Sequence, residues 1–385
     1  MRRGIEVPIN QEVLQWAIRD SGYRTIDVAS HLNISEAELR DWLRGQSRPK
    51  LTQFRQLATY LGRQEATFLL PALPPTMTPQ IEFRHLPGTG VRATNPRERR
   101  RVREAHRLQR CISWMVKELG EERSRVSRTR STEDPDAYAL TVRSILGITY
   151  EAQLSWRNES EALRAWRNAL EDQGIIVLLI PIGSDSARGF SLFDPYAPLV
   201  AANTHWRPTA RMFTLFHEYG HLSTRTDSIC ADVTSRSRLA GGDQIERWCE
   251  EFAASVLAPW DLIESLLQER FDWASGDQIT DLNQASWLAR KLNISLRAAV
   301  LRLIRGHVAD WSLYAAIPPF VDSKSGGGGG GGRRRAQIRM DEYGKRSARA
   351  FVRALDGGLI STTDALTYLD VADTDLPAIE SFARS

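Results

Sequence analysis

His217-Glu-Tyr-Gly-His221, inside Ala210-Arg-Met-Phe-Thr-Leu-Phe-His-Glu-Tyr-Gly-His-Leu222, decides how this chain is read. Two histidines four residues apart on a helix stand one turn apart on one face, so both imidazoles can bind a single ion. Glu218, between them, then reaches a water held by that ion. The chemistry implied is zinc-assisted hydrolysis: zinc would bring the pKa of its water to about 7, and Glu218 would take the proton as general base. The surroundings predict the helix this geometry needs. Arg207-Pro208-Thr209 is a helix start, because proline is favoured at the first helical position. Met212, Phe213, Phe216, Tyr219 and Leu222 recur at helical spacing and would bury one side while the histidines project from another. Tyr219 points away from both histidines and is read as core. Gly220 costs the helix about 1 kcal/mol relative to alanine, a penalty accepted where another backbone must come close.

A third ligand is sought in the next predicted helix, Asp243-Gln-Ile-Glu-Arg-Trp-Cys-Glu-Glu-Phe-Ala-Ala-Ser-Val-Leu257, which Ala258-Pro259 follows. Glu246, Glu250 and Ala253 form one stripe, and Ala253 and Ala254 are small enough to let two helices pack closely. Spacing leaves Glu246 and Glu250 as equal candidates. Asp243-x-x-Glu246 also fits a capping box, in which the glutamate would only satisfy a backbone donor.

The two stretches Ala210–Leu222 and Ile245–Pro259 together resemble the ImmA/IrrE family of metallopeptidases. The resemblance implies an α+β, zincin-like core with a small sheet packed on the H-E-x-x-H helix, zinc as cofactor, His217, His221 and Glu246 as its ligands, and Glu218 as the catalytic residue. Glu250 departs from the pattern, standing where the family usually has asparagine. Gly174-Ile-Ile-Val-Leu-Leu-Ile-Pro181 reads as a buried strand, and Gly189–Phe193 with Leu199–Asn203 as a strand pair. Residues 189–203 are either a core hairpin or the rim that holds an extended peptide by main-chain hydrogen bonds.

The first 72 residues read as a separate five-helix unit. Thr25–Leu32, the turn Asn33-Ile34 and Ser35–Gly45 give two crossed helices, with Ser35 capping the second against Glu38, and the arrangement resembles XRE-type helix-turn-helix domains. That resemblance implies DNA binding, with Ser35, Glu36, Ala37 and Arg40 facing bases and Arg44, Arg48 and Lys50 meeting phosphate. The charge balance of this region is close to even, ten Lys/Arg against eight Asp/Glu, so no strongly basic face supports the phosphate contacts.

Residues 73–136 are read as a proline-rich linker and a basic helix. Val91–Arg110 holds eight arginines against two glutamates, and Val102, Ala105, Leu108, Ile112 and Met115 mark a packed side opposite a solvated charged face. The peptidase domain is assigned to 137–310, a glycine-rich linker containing Gly326–Gly332 to 311–339, and a helical extension to 340–385. Cys111, Cys230 and Cys249 are too few and scattered for a disulfide framework, the segment Arg2–Glu6 is polar, and no apolar run approaches the roughly 18 residues needed to span a membrane. A cytoplasmic chain is expected. Its expected partners are DNA, through residues 1–72, and a protein substrate, which the resemblance implies is a transcriptional repressor or toxin partner. The alternative is a DNA-binding, antitoxin-like regulator whose zinc site is structural or sensory.

Overall fold

The computed structural model describes residues 5–73, 96–184, 186–225, 242–318 and 334–384, with backbone alone at Gly242 and Asp243. The prolines from Pro74 to Pro79, Cys230, the run Gly326–Gly332 and Arg333 lie outside the described residues. Among those described, no helix is long and apolar enough to cross a membrane. The chain divides into two compact units, the first built from described residues 5–73 and 96–106, the second from those beginning at Arg107.

The first unit holds α1 (Gln11–Ser21), α2 (Thr25–His31), α3 (Glu36–Arg44) and α4 (Leu51–Leu61). The expected fifth helix is a 3-10 turn, Glu65–Leu69, because five residues before Pro71 leave no room for an α-helix. Its Phe68 still fills the core, edge-on to Phe54 and beside Leu14, Leu39, Trp42 and Leu57. The helix α5 (Pro96–Glu118) corrects a second expectation. Val102 and Ala105 are buried as expected, but the opposite side is not merely solvated. Arg103 donates to the carbonyls of Asp20 (3.3 Å) and Leu61 (3.2 Å), and Arg99 to that of Asp20 (3.3 Å). Those carbonyls end α1 and α4, where cations satisfy orphan acceptors and oppose the negative end of the helix dipole. Arginines in a charge run thus serve as C-terminal caps.

The second unit adds α6 (Pro135–Leu146), α7 (Tyr150–Ser155), α8 (Glu159–Asp172), the strands β1 (Ile176–Ile180), β2 (Gly189–Leu192) and β3 (Leu199–Asn203), then α9 (Pro208–Thr224) and α10 (Gly242–Leu257). After these come α11 (Trp260–Phe271), α12 (Leu282–Leu292), α13 (Leu296–Arg305), α14 (Trp311–Ala315), α15 (Arg335–Asp356), α16 (Thr362–Leu369) and α17 (Leu376–Arg384). The composition is mostly helical with one three-stranded sheet, an α+β arrangement. The strand order is β1-β3-β2, with β1 parallel and β2 antiparallel to β3. The helix α9 packs on β2 and β3, and α10 packs on α9 and α6.

The two edges of this sheet differ. Ile176 N–H donates to Pro198 in the parallel ladder, so the alternation turns the carbonyl of Val177 outward. Arg167 takes that carbonyl at 2.8 Å and also donates to the carbonyls of Asp341 (2.6 Å) and Glu342 (3.2 Å) on α15, which packs along β1. Gly344 turns the α15 backbone there with φ 78°, and a Cβ at that position would fall on the Glu171 carboxylate. On the other edge, Asn203 N–H donates to Arg188 O, so the alternation leaves the N–H and C=O groups of Gly189 and Ser191 on the outer side of β2. A Cβ on Gly189 would come within 2.4 Å of Ala201 O and of Thr214 on α9, which is why β2 can lie so close to that helix only with glycine.

Asn203, fully buried at the end of β3, fixes the segment that feeds β2. Its Nδ2 donates to Gly183 O (2.7 Å) and Ala187 O (3.1 Å), and its Oδ1 accepts from the N–H groups of Ile182 (3.2 Å) and His205 (3.1 Å). All four hydrogen-bonding positions of the amide are in use. Asn203→Ala is therefore expected to lose about 1–3 kcal/mol of stability through the unsatisfied backbone groups it leaves. Denaturant unfolding of the two proteins measures this, and equal midpoints would refute it.

Candidate metal centre and active site

The pentad lies where its local sequence directs it. Pro208 opens α9, and Met212, Leu215, Phe216, Tyr219 and Leu222 are buried in the main core, Phe216 edge-on to Trp166 with ring centroids 4.9 Å apart. His217 and Glu218 are buried and His221 is partly exposed. At Gly220 the missing side chain lets α10 approach: a Cβ there would meet Cys249 Sγ at 3.0 Å and Cα at 3.4 Å. The close approach expected from that glycine is thus made by the helix that carries the third carboxylate.

Glu246 is the carboxylate that α10 delivers. Its Oε2 lies 3.2 Å from His217 Nε2, its Oε1 3.2 Å from His221 Nε2, and the two Nε2 atoms are 3.2 Å apart. Of the two glutamates that spacing left open, Glu246 is the one that meets both histidines. Among the described residues, His217, His221 and Glu246 form the group able to hold a metal ion. Glu250 is exposed and stands outside it, coupled instead to Arg305. The capping-box partner Asp243 has a side chain outside the described residues.

The geometry can be tested against an ion. A tetrahedral centre with bonds of about 2.0–2.2 Å sets its ligand atoms roughly 3.3–3.6 Å apart. The triangle of 3.2 Å edges is within a few tenths of an ångström of that, and two neutral imidazoles with one carboxylate form a donor set suited to a borderline divalent metal. The electrostatics agree. Burial works against ionising Glu246, yet hydrogen bonds from His217 and His221 prevail and hold its carboxyl well below the usual range. Burial likewise opposes a charge on His221, but the Cys249 thiol, Glu246 and Glu218 together raise its pKa well above the ordinary imidazole value. The charges of Glu246 and Glu218 both favour a cation beside His221.

The end of α10 is held by three buried side chains. Arg143 donates to Val256 O (2.7 Å), Gln153 to Leu257 O (2.8 Å) and Arg302 to Ala258 O (2.9 Å). Pro259 stops the helix, and these donors take the carbonyls it leaves. Arg143 also lies over the Trp166 ring at 5.3 Å, so the cap on α10 and the ring packed on Phe216 beside His217 belong to one assembly. Desolvation pulls the Arg143 pKa down to about 10 without discharging it at neutral pH.

Residues 170–303 match the family model of the IrrE N-terminal-like domain, Peptidase_M78. The matched span contains all three strands, α9 and α10, and therefore the whole His217–His221–Glu246 group. It identifies a peptidase-type domain in this part of the chain. No curated protein matches the chain.

The candidate nucleic-acid residues lie in the other unit. Ser35 caps α3, accepting from Glu38 N–H at 3.1 Å. Ala37, Arg40 and Arg44 follow at i, i+3 and i+7 on its exposed side, with Leu39 and Trp42 buried opposite. Arg48 and Lys50 are exposed beyond its end. Glu36 pairs with Arg40 at 3.2 Å, so the central arginine of this face carries its own counter-charge. Cys249, buried on α10, acts electrostatically on His221, a link the sequence alone did not reveal. The available signal was its position three residues after Glu246.

Glu246→Gln is expected to lower bound metal at least tenfold while Glu250→Gln leaves it unchanged. Metal analysis of the two purified variants after dialysis against dilute chelator reads this, and the reverse pattern would overturn the ligand assignment.

Proposed function

We propose that this chain is a zinc-dependent endopeptidase that acts on a repressor-like or toxin-like protein partner, with residues 1–72 serving as a DNA-binding unit. The observation that carries the reading is the convergence of His217, His221 and Glu246 with Glu218 buried beside them, inside a span similar to a peptidase family. Zinc, when bound by the two Nε2 atoms and the Glu246 carboxylate, would polarise a peptide carbonyl and acidify water.

The remaining steps belong to the protein. Glu218 follows His217 directly, is buried, and acts electrostatically on both His221 and Cys249, which supports giving its carboxylate a role at this site. It would take the proton from the attacking water and return it to the leaving amine. The outer groups of Gly189 and Ser191 would pair with an extended substrate main chain, on a strand that packs against α9, the helix carrying the histidines. An edge of this kind binds backbone, so a flexible segment of a folded partner is a suitable substrate.

Glu218→Gln is expected to retain metal and fold while losing a factor of roughly 100–10,000 in turnover, the usual contribution of a general base. The test incubates wild type and variant with a candidate partner and follows fragments by mass spectrometry. Equal cleavage by both removes Glu218 from the mechanism. A metal-loaded wild type that cleaves no partner, yet regulates through DNA, would favour the regulator with a sensory or structural metal.

For DNA binding, Arg40→Ala is expected to cost about 1–3 kcal/mol on a specific site if the arginine reads a guanine edge. Because Glu36 competes for that guanidinium, Glu36→Ala should tighten binding. Fluorescence anisotropy with the full-length protein at low salt measures both, and absence of any binding by the wild type would end the DNA proposal.

A further inference from the structure

Both helices of the metal centre are tied to one short turn, residues 129–133, which lies between α5 and α6. The N–H of the buried Thr129 donates to Ser223 O at 3.1 Å, two residues past His221 on α9. Four residues on, Glu133 O accepts the Trp248 indole N–H at 2.8 Å, two residues past Glu246 on α10. Between these points the turn is closed on itself, because Glu133 N–H donates to Arg130 O (3.0 Å) and Thr129 Oγ1 to the Glu133 carboxylate (2.8 Å). One end of the turn therefore holds the helix of the histidines, and the other holds the helix of the glutamate. Trp248 is buried, and two helical positions turn it well away from Glu246. Its ring lies flat on Phe252, with centroids 5.3 Å apart and planes at 3°, and Phe252 stacks in turn on Tyr219 of α9.

We infer that residues 129–133 brace the two metal helices and that Trp248 is the positioning residue of Glu246, its indole N–H holding the opening turns of α10 where the carboxylate meets both imidazoles. The inference rests on the metal-centre reading above and deepens it. Glu246 lies near the start of α10, and helix ends fray unless something restrains them. The buried donors at Val256, Leu257 and Ala258 act about 15 Å further along the helix, so the end that carries the ligand needs a restraint of its own. A buried indole needs an acceptor wherever it sits. Here the acceptor belongs to a segment that also grips α9, so satisfying the indole fixes one metal helix against the other.

The test compares full-length wild type with Trp248→Phe, which removes the indole donor, and Thr129→Val, which keeps the side-chain shape and removes the bond to Glu133. Trp273→Phe is the control, since it deletes an indole donor of the same kind, to Asp277 O at 3.0 Å, between α11 and α12. Hydrogen exchange on metal-free protein reads the brace itself. The amides of residues 246–249 should exchange about tenfold faster in Trp248→Phe, the worth of one hydrogen bond, and at the wild-type rate in Trp273→Phe. Competition with a chromogenic chelator should show zinc affinity about tenfold lower in Trp248→Phe, the lower end of the range for partners behind metal ligands. Thr129→Val should shift both readings the same way by less, and Trp273→Phe should leave affinity unchanged even where its unfolding midpoint falls. Wild-type exchange and affinity in Trp248→Phe overturn the proposal. An equal loss of affinity in Trp273→Phe overturns it too, by showing an effect of general stability. If Trp248→Phe does not fold, a Thr129→Val protein with wild-type exchange and affinity overturns it alone. A wild type that takes up no zinc, while exchange at residues 246–249 still depends on Trp248, sinks the metal-centre reading and leaves the brace standing.

Discussion

The candidate metal centre depends on how closely α10 lies against α9. A glutamate side chain is short, and Glu246 meets both imidazoles at 3.2 Å only because no side chain separates the helices at Gly220. A methyl group there would press on Cys249 Sγ and on the α10 backbone, and at contacts of 3.0–3.4 Å some part of the pair would have to move. The triangle of ligand atoms tolerates little movement, since an ångström added to any edge takes it outside the span of a tetrahedral ion. The helix propensity lost at Gly220, about 1 kcal/mol, is small beside that constraint.

Close approach alone does not set the rotation and height of α10. Those are fixed at its C-terminal end, where Arg143, Gln153 and Arg302 take three consecutive carbonyls in a buried setting. Removing one donor would strand a buried acceptor at a cost of about 1–3 kcal/mol, which gives the helix a definite resting position. Arg143 couples this cap to Trp166 and so to Phe216, the residue before His217. The same packed aromatic contact therefore restrains the element that carries the histidines and the one that carries the glutamate.

The sequence makes the pentad legible because its chemistry and helical context sit within a dozen residues. Its extension to Glu246 was less legible, since Glu246 and Glu250 share one stripe and only the approach angle of α10 separates them. The three strands and the start of α9 follow from local apolar runs, glycine and proline. What stayed hidden were long-range polar contacts: nothing local says that Arg143 will cap a carbonyl at Val256, or that Arg302 will reach Ala258. Arg99 and Arg103 show the same limit, because a run of arginines looks identical whether its targets are water or the ends of neighbouring helices.

The sheet explains where a substrate chain would be received. Three strands have two edges, and an exposed edge is open to any extended chain, including another copy of the protein. Here Arg167 and α15 take the outward carbonyl and flank of β1, so α15 closes that side from within the same unit. The outer groups of β2 are left on the side of the sheet whose strands pack on α9, and Gly189 is required to bring that strand so near the helix. Main-chain pairing at such an edge is indifferent to side chains and confers little selectivity by itself. Selectivity in a site of this kind would have to come from outside the strand, from the flexibility of whatever chain pairs with it or from contacts beyond the edge.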